Sequence, residues 1–137
     1  MVFWNSTIPQ PAGILAKPSP LHGLGVFAEK SFTINDVIEK APLILLKESD
    51  KELLEYTRLY HYYFVVDNPK TPAALGLGLS SLYNHSSAAN ARYRINVKKE
   101  YLEIIACKPV TPGEEITLNY NGRPNDPSPV YFPPADV

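Results

Sequence analysis

The sequence predicts a mainly β fold, and three observations carry that expectation. Short β-branched and aromatic runs are separated by turn signals along most of the chain. Residues 91–97 alternate with a period of two, placing Tyr93, Ile95 and Val97 on one face and Arg92, Arg94 and Asn96 on the other. Helical spacing occurs in one stretch alone, where Leu53, Leu54 and Thr57 follow a polar start.

Taken in order, residues 25–28 and 37–40 read as strands on either side of the polar stretch 29–36, and 43–46 as a buried strand after Pro42. Ser49-Asp50-Lys51-Glu52 has the S-x-x-E form of a capping box, in which hydroxyl and carboxylate satisfy each other's amides. It predicts the single helix, about residues 50–60. The alternating run 91–97 pairs with 101–106 across the polar link Lys98-Lys99-Glu100, an antiparallel hairpin. Pro112-Gly113 supplies a type II turn before a last strand at 115–120. No internal repeat is present.

At 137 residues the chain has the size of one domain. Hydrophobic residues make up 45% and charged ones 20%, with 13 basic against 14 acidic side chains, which excludes disorder and collagen-like repeats. That balance offers no global positive field for a phosphate backbone, so no direct nucleic-acid partner is expected. The single cysteine, Cys107, cannot form an internal disulfide, and His22, His61 and His85 lack metal-finger spacing, so no metal is expected. The apolar run 41–46 is far shorter than the ~20 residues of a membrane span, and the N-terminus lacks a signal stretch. The expectation is therefore an intracellular protein with no membrane partner. Prolines crowd both ends, predicting irregular segments at 1–13 and 123–137.

Single motifs say little alone. Gly23-Leu24-Gly25 and Gly76-Leu77-Gly78 lack the third glycine and distal acid of a dinucleotide site and read first as turns. Asn84-His85-Ser86 and Asn5-Ser6-Thr7 match a glycosylation sequon that only a secreted chain would use. His85 by itself reads as a hydrogen-bonded structural histidine, and Tyr56, Tyr60, Tyr62 and Tyr63 as packing aromatics before a ligand groove. Glu48, Asp50, Glu52 and Glu55 read as a solvated helix face before a dock for a basic peptide.

Their order carries more. His22-Gly23-Leu24-Gly25-Val26-Phe27-Ala28 comes first, then residues 82–91 with Tyr83-Asn84-His85-Ser86, then Gly113-Glu114-Glu115-Ile116-Thr117-Leu118-Asn119-Tyr120. Over residues 14–122 this resembles the SET domain of S-adenosylmethionine-dependent protein-lysine methyltransferases, most closely the compact single-domain members of viruses and bacteria. The resemblance implies a fold of small β-sheets with a C-terminal pseudoknot, in which residues 84–91 thread through a loop made by the last strand. It further implies a cofactor site at Gly23, Leu24, Gly25, Val26, Tyr83, Asn84 and His85, with Asn84 and His85 on the amino-acid and adenine parts. Tyr120 is implied as the catalytic tyrosine.

Two departures stand out. Ser87 and Ala89 replace the Cys and Pro of many relatives, and no cysteine cluster follows the last strand. The second removes the zinc-bound module that finishes the lysine channel in many relatives. Two expectations follow from it: a homodimer using apolar residues near the acidic helix, and a lid over the channel formed by Tyr131 or Phe132 of the proline-stiffened tail.

The resemblance implies methyl transfer to the side-chain amine of a protein lysine, on a histone-like basic tail by analogy, in the cytoplasm, or in the nucleus of a eukaryotic or viral host setting. A catalytically silent SET-like module that holds cofactor or peptide is the alternative from another class. A small all-β scaffold with an accidental N-H-S is the third reading.

Overall fold

The computed structural model describes residues 7–130. Strands β1 (Ile14–Pro18) and β2 (Leu24–Ala28) open the chain, followed by the long β3 (Val37–Leu46). Helix α1 (Glu48–Leu54) and a 3-10 turn (Arg58–His61) lead into β4 (Tyr63–Val65) and β5 (Ala73–Gly76). Then come the two-residue β6 (Asn84–His85), β7 (Ala91–Asn96), β8 (Tyr101–Ala106) and β9 (Glu115–Leu118). They form two sheets, one ordered β1-β2-β9-β6 and the other β4-β5-β3-β8-β7. Their shared core holds Val26, Leu43, Leu102, Ile104, Ile116 and Leu118.

The β7–β8 hairpin forms as its alternation predicts, in a register from Ala91 opposite Ala106 to Asn96 opposite Tyr101. The turn at Pro112-Gly113 forms too: Gly113 has φ +90° and Glu114 N–H donates to Thr111 O at 3.1 Å. The two strand pieces expected around Pro42 are one strand. β3 pairs with β8 up to Pro42 and with β5 from Leu43 onward, so the proline's missing N–H falls where the strand changes partner.

The helix differs at both ends from the expected 50–60. It starts earlier because Asp50 Oδ2 accepts the Lys47 N–H at 3.0 Å, which puts Ser49 inside the first turn rather than at the cap. It stops at Leu54 because Thr57, extended at φ −124°, donates its hydroxyl to Leu54 O and accepts the Leu59 N–H. The chain re-enters as the 3-10 turn. β1, β4, β5 and the two-residue β6 were not expected. The Ala-Ala-Leu-Gly of β5 lacks the β-branched residues that mark strands, and the Tyr-Phe-Val of β4 begins inside the tyrosine cluster, which reads as packing aromatics. The last strand also stops two residues short of Tyr120.

Candidate active site

Three distant motifs meet on β9. It pairs antiparallel with β2, Val26 opposite Ile116, and parallel with β6, Asn84 opposite Thr117 and His85 opposite Leu118. A two-residue parallel pair is weak alone, and side chains extend it. Asn90 acts as a strand would: its amide donates to Glu115 O and its carbonyl oxygen accepts the Thr117 N–H, both at 2.9 Å. Ser86 N–H donates to Leu118 O. Residues 84–91 are thereby fastened along the last strand.

On the β2 side, the Asn84 amide nitrogen lies 3.0 Å from His22 O, 3.1 Å from Leu24 O and 2.8 Å from Glu115 Oε1. Its two protons are shared among these acceptors, so the side chain holds the 22–24 turn in shape. Ser19 Oγ donates to the same Glu115 carboxylate at 2.8 Å. The two glycines of the turn serve different needs. A Cβ on Gly25 would lie 2.2 Å from Glu115 Oε1 and 3.0 Å from Asn84 Nδ2, so this glycine makes room for the protein's own polar cluster. Gly23 has φ +46° with nothing within 4 Å of the Cβ position, so the turn is left-handed there and open on its outer side.

Beyond β9 the chain bends back toward β6. Tyr120 N–H donates to His85 Nδ1 at 3.1 Å, and the two rings lie 5.2 Å apart. Burial lowers the His85 pKa, which suits a neutral imidazole accepting through Nδ1. The Tyr120 hydroxyl donates to Tyr83 O at 2.7 Å. Burial first, then Tyr62 and Glu115 nearby, push its pKa up to about 12, so the hydroxyl keeps its proton at neutral pH. Tyr120 is nonetheless 43% exposed.

After Tyr120, the buried Asn119 donates to Asp126 O at 2.8 Å and accepts the Asn121 N–H. Asn121 in turn donates to Ser128 O. These asparagines hold the loop that starts the tail. Tyr131 and Phe132, expected as a lid, lie outside the described residues.

The structure thus brings Gly23, Leu24, Gly25, Val26, Tyr83, Asn84, His85 and Tyr120 to the two flanks of β9. An S-adenosylmethionine molecule needs an open, partly apolar cradle beside main-chain polar groups. The unfilled side of Gly23, the exposed Leu21 and Leu24 and the half-buried His85 fit that need. Glu115 and Asn90, which organise the cluster, belong to the candidate site and were missed by sequence reasoning. Glu115 looks like any strand-edge carboxylate, and only the convergence of three segments reveals its role.

The profile of the SET domain family matches residues 23–121. A Schizosaccharomyces pombe histone-lysine N-methyltransferase specific for H3 lysine-37 is 29% identical over 99 residues, covering 72% of this chain and 66% of that protein. A Drosophila pseudoobscura histone-lysine N-methyltransferase, Set8, is 33% identical over 113 residues, covering 74% of this chain and 16% of that protein. The chain therefore spans less than two thirds of the length of these relatives. The crystal structure of a Plasmodium falciparum protein proposed to be a histone methyltransferase superposes with a TM-score of 0.65 at 28% identity, covering 82% of this chain and 95% of that one.

Proposed function

The chain belongs to the SET-domain family, and from that premise we propose that it transfers a methyl group from S-adenosylmethionine to the side-chain amine of a protein lysine. The observation that supports this reading most is the pair of oxygens at the end of β9. The Tyr120 hydroxyl and Tyr83 carbonyl, 2.7 Å apart, stand beside the turn that would cradle the cofactor. S-adenosylmethionine, when bound, supplies an activated methyl on a sulfonium.

The chain's own task is to deliver a neutral amine in line with that methyl. Deprotonating a lysine of pKa ~10.4 near neutral pH costs roughly 4 kcal/mol. Tyr120, with its pKa about 12, is no base at that pH; it acts as a hydroxyl. As a hydroxyl whose proton goes to Tyr83 O, it serves the incoming amine as an acceptor for one N–H, which orients the nitrogen lone pair. The amine loses its proton to water on entering this aromatic surroundings, where desolvation favours the neutral form. His85 holds the Tyr120 backbone and keeps that hydroxyl in register with β6.

A basic tail is the favoured substrate class. Both curated relatives are histone-lysine methyltransferases, and Glu48, Asp50, Glu52 and Glu55 line a stretch that also exposes Tyr56, Tyr60 and Tyr62. A histone substrate would place the protein in the nucleus. Incubation with labelled S-adenosylmethionine, histones and a cell lysate, followed by mass spectrometry of modified lysines, tests the reading. Methyl-lysine on a histone tail is the expected result; cofactor binding by calorimetry without transfer would make the chain a silent binding module instead.

A further inference from the structure

Among the described residues, the one charged side chain buried in the core is Glu39 on β3, which is 2% exposed. Its Oε1 accepts the Tyr83 hydroxyl and its Oε2 the Leu79 N–H, both at 2.9 Å. Gly78, at φ +63°, closes over the carboxylate; a Cβ there would stand 2.7 Å from Oε2. Burial raises the Glu39 pKa, a sign that its charge is held at a cost. An apolar side chain of the same volume would avoid that cost. Methyl transfer as described uses neither Glu39 nor the Tyr83 hydroxyl.

The reason for the carboxylate lies at the other end of Tyr83. That residue is 2% exposed, its ring reaching inward to Glu39 and its carbonyl accepting the Tyr120 hydroxyl at 2.7 Å. Between β5 and β6 the main chain runs through turns rather than a ladder, so the carbonyl lacks a strand partner to set its position. β3 is held to β8 at this point, Glu39 opposite Ile104, and the Glu39 carboxylate ties the loop to that strand twice.

We propose that Glu39 is a positioning residue for Tyr120: through the Tyr83 hydroxyl it fixes the main-chain carbonyl that aims the Tyr120 hydroxyl at the reacting amine. The kinetic consequence rests on the methyl-transfer reading; the anchoring itself does not.

The test compares the intact chain with Glu39→Gln, Tyr83→Phe and the double variant Glu39→Leu/Tyr83→Phe. Removing one partner leaves the other buried and unsatisfied, so Tyr83→Phe loses stability. Removing both returns most of it, apart from the Leu79 amide. A merely structural pair would recover activity with stability. A positioning pair would not: the double variant is expected to melt near the intact protein yet keep a kcat lower by roughly tenfold, with the KM for S-adenosylmethionine within about twofold. Glu39→Gln keeps an acceptor for Leu79 and a partner for the Tyr83 hydroxyl, and should stay within about threefold of full activity.

Full kcat in the double variant overturns the proposal, as does a Glu39→Gln protein no faster than the double. If the intact protein binds S-adenosylmethionine but methylates nothing, the methyl-transfer reading fails separately. The anchor is then decided by the Tyr120 Cζ resonance in ring-labelled protein, assigned with Tyr120→Phe. In the double variant it should move toward the value of a solvent-exposed tyrosine, and an unmoved resonance overturns the anchor.

Discussion

Around β9 buried polar side chains sit among the strand pairing, whereas from α1 to Tyr62 the aromatic side chains lie outside. Asn84, Thr117 and Asn119 are buried and Asn90 is half-buried, and all sit in the strand pairing or bond to backbone. α1 and the 3-10 turn contain no buried residue, and Tyr56 is 91% exposed. The usual sorting of polar and apolar groups is inverted in both places. Directional bonds in a dry setting hold atoms in one geometry, which suits a region that must orient a reacting group. Exposed aromatic surface carries no such constraint and keeps its burial energy for a partner.

The sharpest way to break this contrast is Tyr120→Phe, which deletes the hydroxyl that bonds Tyr83 O. Methyl transfer should fall by roughly 100-fold or more, about 3 kcal/mol in the barrier. Cofactor affinity by calorimetry should barely change. Equal transfer by the variant would remove Tyr120 from the chemistry.

Next comes Gly25→Ala, whose methyl would collide with Glu115 while Ser19 and Asn84 grip that carboxylate. Stability by urea unfolding should drop by about 2 kcal/mol. A shift under a few tenths would mean the cluster yields easily. Asn90→Ala removes the bridge to Glu115 O and Thr117 N–H and should cost about 1–2 kcal/mol, again read from the urea midpoint.

A smaller effect should appear with pH. The folded His85 has a pKa below its ordinary 6.5 because of burial, so the unfolded chain binds the proton more readily. Its stabilising contribution is full above about pH 6.5 and is lost as pH falls through that value toward the folded pKa. Protonation would also cost Nδ1 its bond from Tyr120 N–H. A His85→Asn variant should show a flatter stability profile between pH 7 and 5 than the parent, and identical profiles would exclude His85 as the source.

The smallest effect belongs to the other region. Tyr56→Ala should change stability by no more than about 0.5 kcal/mol, yet raise the KM for a basic peptide if this surface receives the substrate. An unchanged KM would leave these aromatics without a role in docking.

Much of the architecture was legible in the chain. The hairpin from Ala91 to Ala106 is written in its alternation, because one face meets the core. The turn at Gly113 follows from the positive φ that glycine tolerates. The motifs at Gly23–Gly25, Asn84–His85 and Tyr120 point to the candidate site by resemblance. Less was legible where local signals conflict: β5 is built of weak strand formers, and α1 stops at Leu54, whose carbonyl takes the hydroxyl of Thr57 beyond the helix.

The amino-acid sequence by itself determined the mainly β class, the presence of the hairpin and the order of three motifs, since each is read from the order and spacing of residues along the chain. Only the tertiary structure decided what joins them. Glu115 meets Asn84 across 31 positions and Ser19 across 96, and Glu39 meets Tyr83 across 44. A buried carboxylate draws its partners from whichever segments the fold brings to it, and no local pattern records that choice.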